Sequence, residues 1–373
     1  MAGPAAPPPR PASRRGPSAF LLAVALAWTA AVLCYGFVWG ADPYELRFAR
    51  PSERLADHPY PAQVVPRLVS VAAHGGADMV ILGASTAMGY TPNMMRQAFT
   101  DVSRPANLAY ACASAEDFGV LLPRLEQSKT LKRVLINLDV SLITPCVGNK
   151  SDFDPRYFAS NWLDPAPEFN LQSVELSQRV LRTGVLDLDA WRPLPDDKVS
   201  WITTDPPVTA KPDYLARVRR NVALARGRAT RGAPLPCSSM PRLKTTIAPF
   251  IRTMAARGVK VDLLAPPLSL AIYSEWTVSW TPFTAPPFPS VMALQRCLLQ
   301  MTAGLPNVRF DSFDTDPAIV GDLRLYRDTG HVGDVETYRQ ILRRIAAGQA
   351  QVTLDEWPQH QAALQREVDA FSP

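Results

Sequence analysis

Twenty-one consecutive residues without a charge, Ala19 to Trp39 (AFLLAVALAWTAAVLCYGFVW), constrain this chain more than any other feature. At ~1.5 Å of rise per residue such a run matches the ~30 Å hydrocarbon core of a bilayer. It reads as a transmembrane anchor over residues 18–40. A cleaved signal peptide is the alternative, with Val38, Trp39 and Gly40 preceding a cut at Ala41. The run is longer than the ~7–15 apolar residues typical of such signals, which favours the anchor. Leu33 before Cys34 is too large for a lipoprotein signal, and no apolar residue follows Arg14-Arg15 as a twin-arginine signal requires.

Charge sets the orientation. Arg10, Arg14 and Arg15 precede the apolar run with no acid among them, so the positive-inside rule makes residues 1–17 a cytoplasmic Pro-rich tail. Everything past the anchor is then extracytoplasmic: a membrane-proximal segment at 41–75, which includes an amphipathic stretch at Ala62–Ala73, and a body at 76–373. Arginine greatly outnumbers lysine, and alanine and proline are frequent, a composition of GC-rich bacterial genomes that points to the periplasm and an anchor in the cytoplasmic (inner) membrane.

The chain has 373 residues and a net charge of +5; subtracting the three tail arginines leaves +2, too little for a phosphate-binding surface. Nucleic acid is not an expected partner. Cys112, Cys146, Cys237 and Cys297 fall on the oxidising side and follow no zinc-site spacing, so no metal is expected. Cys146 and Cys237 each adjoin proline and bracket an irregular region, which makes them the expected disulfide pair.

The body alternates strand and helix. DMVILGAS (Asp78–Ser85) is a short apolar strand ending in a glycine turn, and Thr91-Pro92 caps the helix that follows. Further strands are expected at Ala106–Ala111, Arg133–Val140, Val259–Ala265 and Asn307–Phe313. The helices expected between them are Ala115–Ser128, Pro241–Arg257 and Val291–Thr302. Such alternation implies right-handed crossovers and a doubly wound parallel sheet in a three-layer α/β/α sandwich. The rhythm fails at about 143–236, read as an insertion with helices at Leu171–Thr183 and Pro212–Ala225. Pro266–Pro289 reads as a long aromatic loop after a strand, where Tyr273, Trp276 and Trp280 either line a substrate crevice or pack the loop onto the body.

Of the four histidines, His331 stands out. It lies three residues after Asp328, in a Gly-containing loop between the last strand and a helix, so one turn can carry both groups and the carboxylate can accept the imidazole Nδ1 proton. A solvated loop pair or a helix cap fits the same spacing. Ser85 supplies a hydroxyl at the carboxyl end of the first strand, where a nucleophile would need a base such as His331. Its own N–H and one near Cys112 are candidate donors to an acyl oxyanion.

Gly83-Ala84-Ser85 and Asp328-Thr329-Gly330-His331, with NLAYACASAED and RVLINLDV between them, resemble the signature blocks of the SGNH, or GDSL-type, hydrolase superfamily over roughly residues 76–348. The resemblance implies Ser85 as nucleophile, His331 as general base and then acid, and Asp328 as the orienting carboxylate. Three positions depart from the pattern. Ala84 replaces an Asp, Cys112 stands at the oxyanion-hole Gly, and Leu138 falls at the usual Asn, leaving Asn137 or Asp139 to assist. The departures are similar to those of a membrane-anchored branch like the periplasmic alginate O-acetyltransferases. That branch implies acyl transfer through an acyl-serine to an envelope polysaccharide, or ester hydrolysis, with no cofactor and with a multispanning membrane protein as acyl donor. A catalytically silent glycan-binding or scaffolding protein is the alternative, because the oxyanion blocks are eroded.

Overall fold

The computed structural model describes residues 16–41, 65, 69, 72–143, 174, 177–178, 205–226, 236–276 and 287–373. Most of the expected helices at 171–183 and 62–73, most of the expected cytoplasmic tail, Cys146 and Trp280 lie outside them. Two compact units divide the chain, Met1–Pro43 with Glu168–Trp191, and Tyr44–Pro167 with Arg192–Pro373.

In the first unit, α1 (Gly16–Ala41) is a single unbroken helix, apolar and long enough to cross a membrane, as a single-pass membrane protein requires. Phe20, Leu22, Leu26, Trp28 and Leu33 all stand exposed. Between them Thr29 Oγ1 donates to the Ala25 carbonyl at 2.9 Å, so this hydroxyl is satisfied within the helix.

The second unit is built on five parallel strands in the order β2-β1-β3-β4-β5: β1 (Met79–Leu82), β2 (Pro105–Asn107), β3 (Arg133–Asn137), β4 (Lys260–Ala265) and β5 (Val308–Ser312). Every residue of β1 and β3 is buried, which is why these strands read as continuous apolar runs. Pro105 is tolerated because β2 is an edge strand. β2 is shorter than expected, since the Asn107 side chain accepts from Ala109 N–H at 2.9 Å and turns the chain out of the sheet.

Helices cover both faces. The β1-to-β2 and β2-to-β3 connections run in opposite directions, so right-handed crossovers put α2 (Pro92–Ala98) and α3 (Ala115–Leu125) on opposite sides. Thr91 caps α2, its hydroxyl accepting from Met94 N–H, and Ser114 with Asp117 forms a capping box on α3. α4 (Pro212–Arg226) comes from the insertion. A π-turn at Leu243–Ile247 leads into α5 (Ala248–Ala256) and packs on α3. The aromatic loop expected at Pro266–Pro289 contains α6 (Leu270–Trp276), which packs on α4; α7 (Pro287–Thr302) then packs on α5. On the other face, α8 (Val335–Ala346) packs on α2, and α9 (Trp357–Ala370) closes the chain beside α6.

The cysteine pairing differs from expectation. Cys237 is bonded to Cys297, across a Cα separation of 5.7 Å, because the turn holding Cys237 lies against α7. Cys112 is disulfide-bonded as well.

Candidate active site

In the order β2-β1-β3-β4-β5, chain direction reverses between β1 and β3, and an open parallel sheet offers its ligand crevice at the carboxyl ends beside that switch point. Ser85 begins the short 3₁₀ turn Ser85–Ala87 after β1. Gly83 before it is required by close approach, since a Cβ there would lie 2.7 Å from Asn137 Cβ and 2.9 Å from Ala87 Cβ. Asn107 braces the far side of the turn, donating to the carbonyls of Ala87 and Tyr90, each at 2.8 Å.

The loop after β5 supplies the rest. Asp328 Oδ1 accepts from the N–H groups of Gly330 and His331, both at 2.9 Å, so the Asp-x-x-His turn organises itself. His331 Nδ1 sits 2.8 Å from Asp328 Oδ1 and 2.9 Å from Oδ2, while Nε2 sits 2.8 Å from Ser85 Oγ. Burial works to raise the Asp328 carboxyl, but the His331 hydrogen bond and charge, the Gly330 N–H and the Arg327 guanidinium outweigh it and hold the group below its ordinary value. An ionised carboxylate only accepts, so the imidazole proton belongs on Nδ1 and Nε2 is left to accept from Ser85. Ser85 and His331 both remain partly exposed, as groups that must meet a substrate need to be.

Residues with no sequence signal hold this loop from outside. From the insertion, Lys211 Nζ donates to the Arg327 carbonyl at 2.8 Å, and the Tyr214 hydroxyl accepts from Thr329 N–H at 3.2 Å. Asp205 pairs with Arg327 Nη2 at 3.0 Å. Ser269 Oγ donates to the Thr329 carbonyl at 2.6 Å. Only Asn107, a turn-forming residue at a strand end, carried a legible hint.

Three expected site residues are placed differently, and a fourth lies outside what is described. Asn137 is fully buried, and its amide donates to Thr86 Oγ1 at 2.6 Å, so it does not reach the crevice. Asp139 accepts from Thr86 Oγ1 at 2.7 Å and from Ser141 N–H at 3.1 Å; an acceptor-only group cannot donate to an oxyanion. Tyr273 is a core residue with no exposed surface, its hydroxyl donating to Asp314 at 2.5 Å, and so it cannot stack on a substrate. Trp276 ends α6 with its side chain outside the described residues. Cys112 adopts φ 64°, in the left-handed region that favours glycine.

Fold and site together define a doubly wound α/β protein with a Ser-His-Asp constellation at its switch point. No protein-family model and no curated protein matches the chain. Among the described residues no cluster of His, Cys, Asp and Glu is arranged to hold a metal ion.

Proposed function

We propose that this chain is a membrane-anchored, extracytoplasmic SGNH-like acyltransferase or esterase acting through an acyl-Ser85 intermediate on a cell-envelope polysaccharide or similar glycan. One observation carries the reading, the 2.8 Å contact of Ser85 Oγ with His331 Nε2 while Nδ1 faces Asp328. His331 takes the Ser85 proton as Oγ attacks the acyl carbonyl carbon. As the intermediate collapses, the bond from that carbon to the alkoxide breaks and His331 returns the proton to the leaving oxygen. A sugar hydroxyl or water then gives its proton to Nε2 and attacks the acyl-serine carbonyl; the bond from that carbon to Oγ breaks and Nε2 returns the proton to Ser85 Oγ. Asp328 stabilises the imidazolium formed in each half-reaction. The acyl donor in this reading is delivered by a multispanning membrane partner.

Incubating the full chain in detergent micelles with 4-nitrophenyl acetate tests the proposal. Mass spectrometry should find acetyl on Ser85 of the wild type, and none on that peptide in Ser85→Ala or His331→Ala. The buried Asn137 amide favours a second reading, a silent glycan-binding or scaffolding protein. Folded wild type without an adduct would select it.

A further inference from the structure

We propose that the disulfide at Cys112 positions the acyl-binding turn, holding a backbone conformation that otherwise requires glycine; the inference rests on the acyl-serine reading above. Cys112, at φ 64°, is the one non-glycine residue with positive φ among the described residues. A side chain there is disfavoured roughly ten-fold against the right-handed conformation, so something must hold it. Cys112 is tethered through its sulfur. The tether acts on a turn already tied to the strand that carries the nucleophile: Leu108 N–H donates to Ile81 at 2.8 Å and Tyr110 N–H to Gly83 at 3.3 Å. On the other side, Ser141 Oγ donates to the Ala113 carbonyl at 2.5 Å, linking the turn to the end of β3.

The consequence lies in what is left to stabilise negative charge on an acyl oxygen. Asn137 and Asp139 are committed to Thr86, so the task falls to backbone N–H groups. Ser85 N–H makes no hydrogen bond among the described residues and so remains available. In this reading the second donor N–H belongs to the turn at Cys112, and the left-handed φ aims it. Were the tether cut, residue 112 would relax toward negative φ and carry that N–H away, while the sheet and the Ser85–His331–Asp328 set stayed in place. Cys112 is thus a positioning residue.

Glycine and alanine at this position separate backbone conformation from mere loss of the bond. With 4-nitrophenyl acetate and the full chain in detergent micelles, Cys112→Ala should lower kcat about ten-fold or more with little change in KM, the pattern of a contact made only in the transition state. Cys112→Gly, which removes the same disulfide but adopts positive φ freely, should recover about ten-fold over the alanine variant. Dithiothreitol should bring the wild type toward the alanine rate and affect the glycine variant less than about two-fold, which also removes any contribution of Cys237–Cys297. Should Cys112→Ala not fold, the reduced wild type takes its place in the comparison. Equal kcat for alanine and wild type, or glycine falling as far as alanine while both melt cooperatively, would overturn the inference. A wild type that forms no acyl-Ser85 overturns the acyl-serine reading and this inference with it, a result distinct from an active wild type whose variants do not differ.

Discussion

Replacing Asp328 by asparagine should cut catalysis sharply while leaving the loop folded, because only one of its two oxygens is kept as an acceptor. Oδ1 accepts both backbone N–H groups, from Gly330 and His331, at 2.9 Å, and also lies 2.8 Å from His331 Nδ1. Oδ2 faces His331 Nδ1 at 2.9 Å, with Arg327 Nε further off at 3.7 Å. The asparagine carbonyl can keep the backbone bonds, which puts its NH2 where Oδ2 was. The carbonyl would then be shared by three N–H groups while the NH2 faces Nδ1–H at close range, and the ring relieves this by moving its proton to Nε2. An Nε2–H pointing at Ser85 Oγ cannot take the serine proton, so kcat should fall about 10⁴-fold, some 5.4 kcal/mol of barrier. Asp328→Ala, which strands two N–H donors, should be less stable than Asp328→Asn without being much less active. The pH dependence of unfolding gives an independent check. Because the folded carboxyl titrates below its ordinary value, it contributes stability above the unfolded pKa of ~3.9 that is lost as pH falls through the folded one. Wild type should therefore lose more stability on acidification from about pH 5 to pH 3 than Asp328→Asn does. Burst kinetics with 4-nitrophenyl acetate supply the rate. An asparagine variant within about ten-fold of wild type would refute the tautomer argument.

Three further perturbations probe the surroundings. In Gly89→Ala, the new Cβ would overlap Tyr338 Cζ, and that ring is locked edge-on against Tyr90 at 4.9 Å; we expect a loss of about 1–3 kcal/mol in chemical denaturation. Its activity should fall by more than stability alone dictates, since the Tyr338 hydroxyl also holds the Val332 carbonyl, at 2.8 Å, one residue past His331. Tyr214→Phe removes the acceptor for Thr329 N–H, so kcat should drop a few-fold, with a stability loss of about 1 kcal/mol that an unchanged thermal midpoint would contradict. Asp311 is buried with neither oxygen hydrogen-bonded. Burial raises its carboxyl to about 7, opposed by Arg309, assisted by Asp262 and opposed again by Arg133. Between roughly pH 4 and 7 the folded chain thus binds a proton that the unfolded chain releases, and stability falls as pH rises. Asp311→Asn should accordingly raise the melting temperature at about pH 8, and the gain should shrink toward pH 5; a pH-independent difference would count against it.

What could be read in advance followed local chemistry. β1 and β3 are buried on both faces and had to be apolar throughout, and Thr91-Pro92 carries its own cap, so these elements were legible to within a few residues. Asp328 and His331 share one turn, and their pairing was visible as a spacing. Their meeting with Ser85 depends on strand order, a tertiary property that the repeating alternation made inferable only as topology. The misreadings share a different cause. Asn137 and Asp139 sit at a strand end where either face was open, and the tight fit of Gly83 against Asn137 decided the matter. Tyr273 lay in a Pro-rich stretch that concealed α6, and helix formation turned its ring into the core. The Cys237–Cys297 bond records which helices pack together, and the flanking prolines hold no information about that. Lys211 and Tyr214 were invisible because an insertion signals only that the rhythm has stopped.

Ser85 follows β1 and the histidine loop follows β5, with β3 and β4 between them, so the order β2-β1-β3-β4-β5 does not bring them together unaided. The chain must return over the carboxyl edge, and the reason lies in what comes after the loop. α8 buries Tyr338, Ile341, Leu342 and Ile345 and packs on α2, at the far side of the sheet from β5. Residues 313–334 must therefore cross the crevice to deliver it. The crossing is stiffened by the Tyr326–Val332 bridge, and the Asp328–His331 turn stands at its apex. Gly89 admits the Tyr338 ring, so the segment that carries Ser85 also receives the helix that follows His331. The hydrophobic docking of one amphipathic helix thus fixes a contact between two polar side chains 246 residues apart. The same docking makes the geometry of the site depend on burial at α8 as much as on any hydrogen bond within the triad.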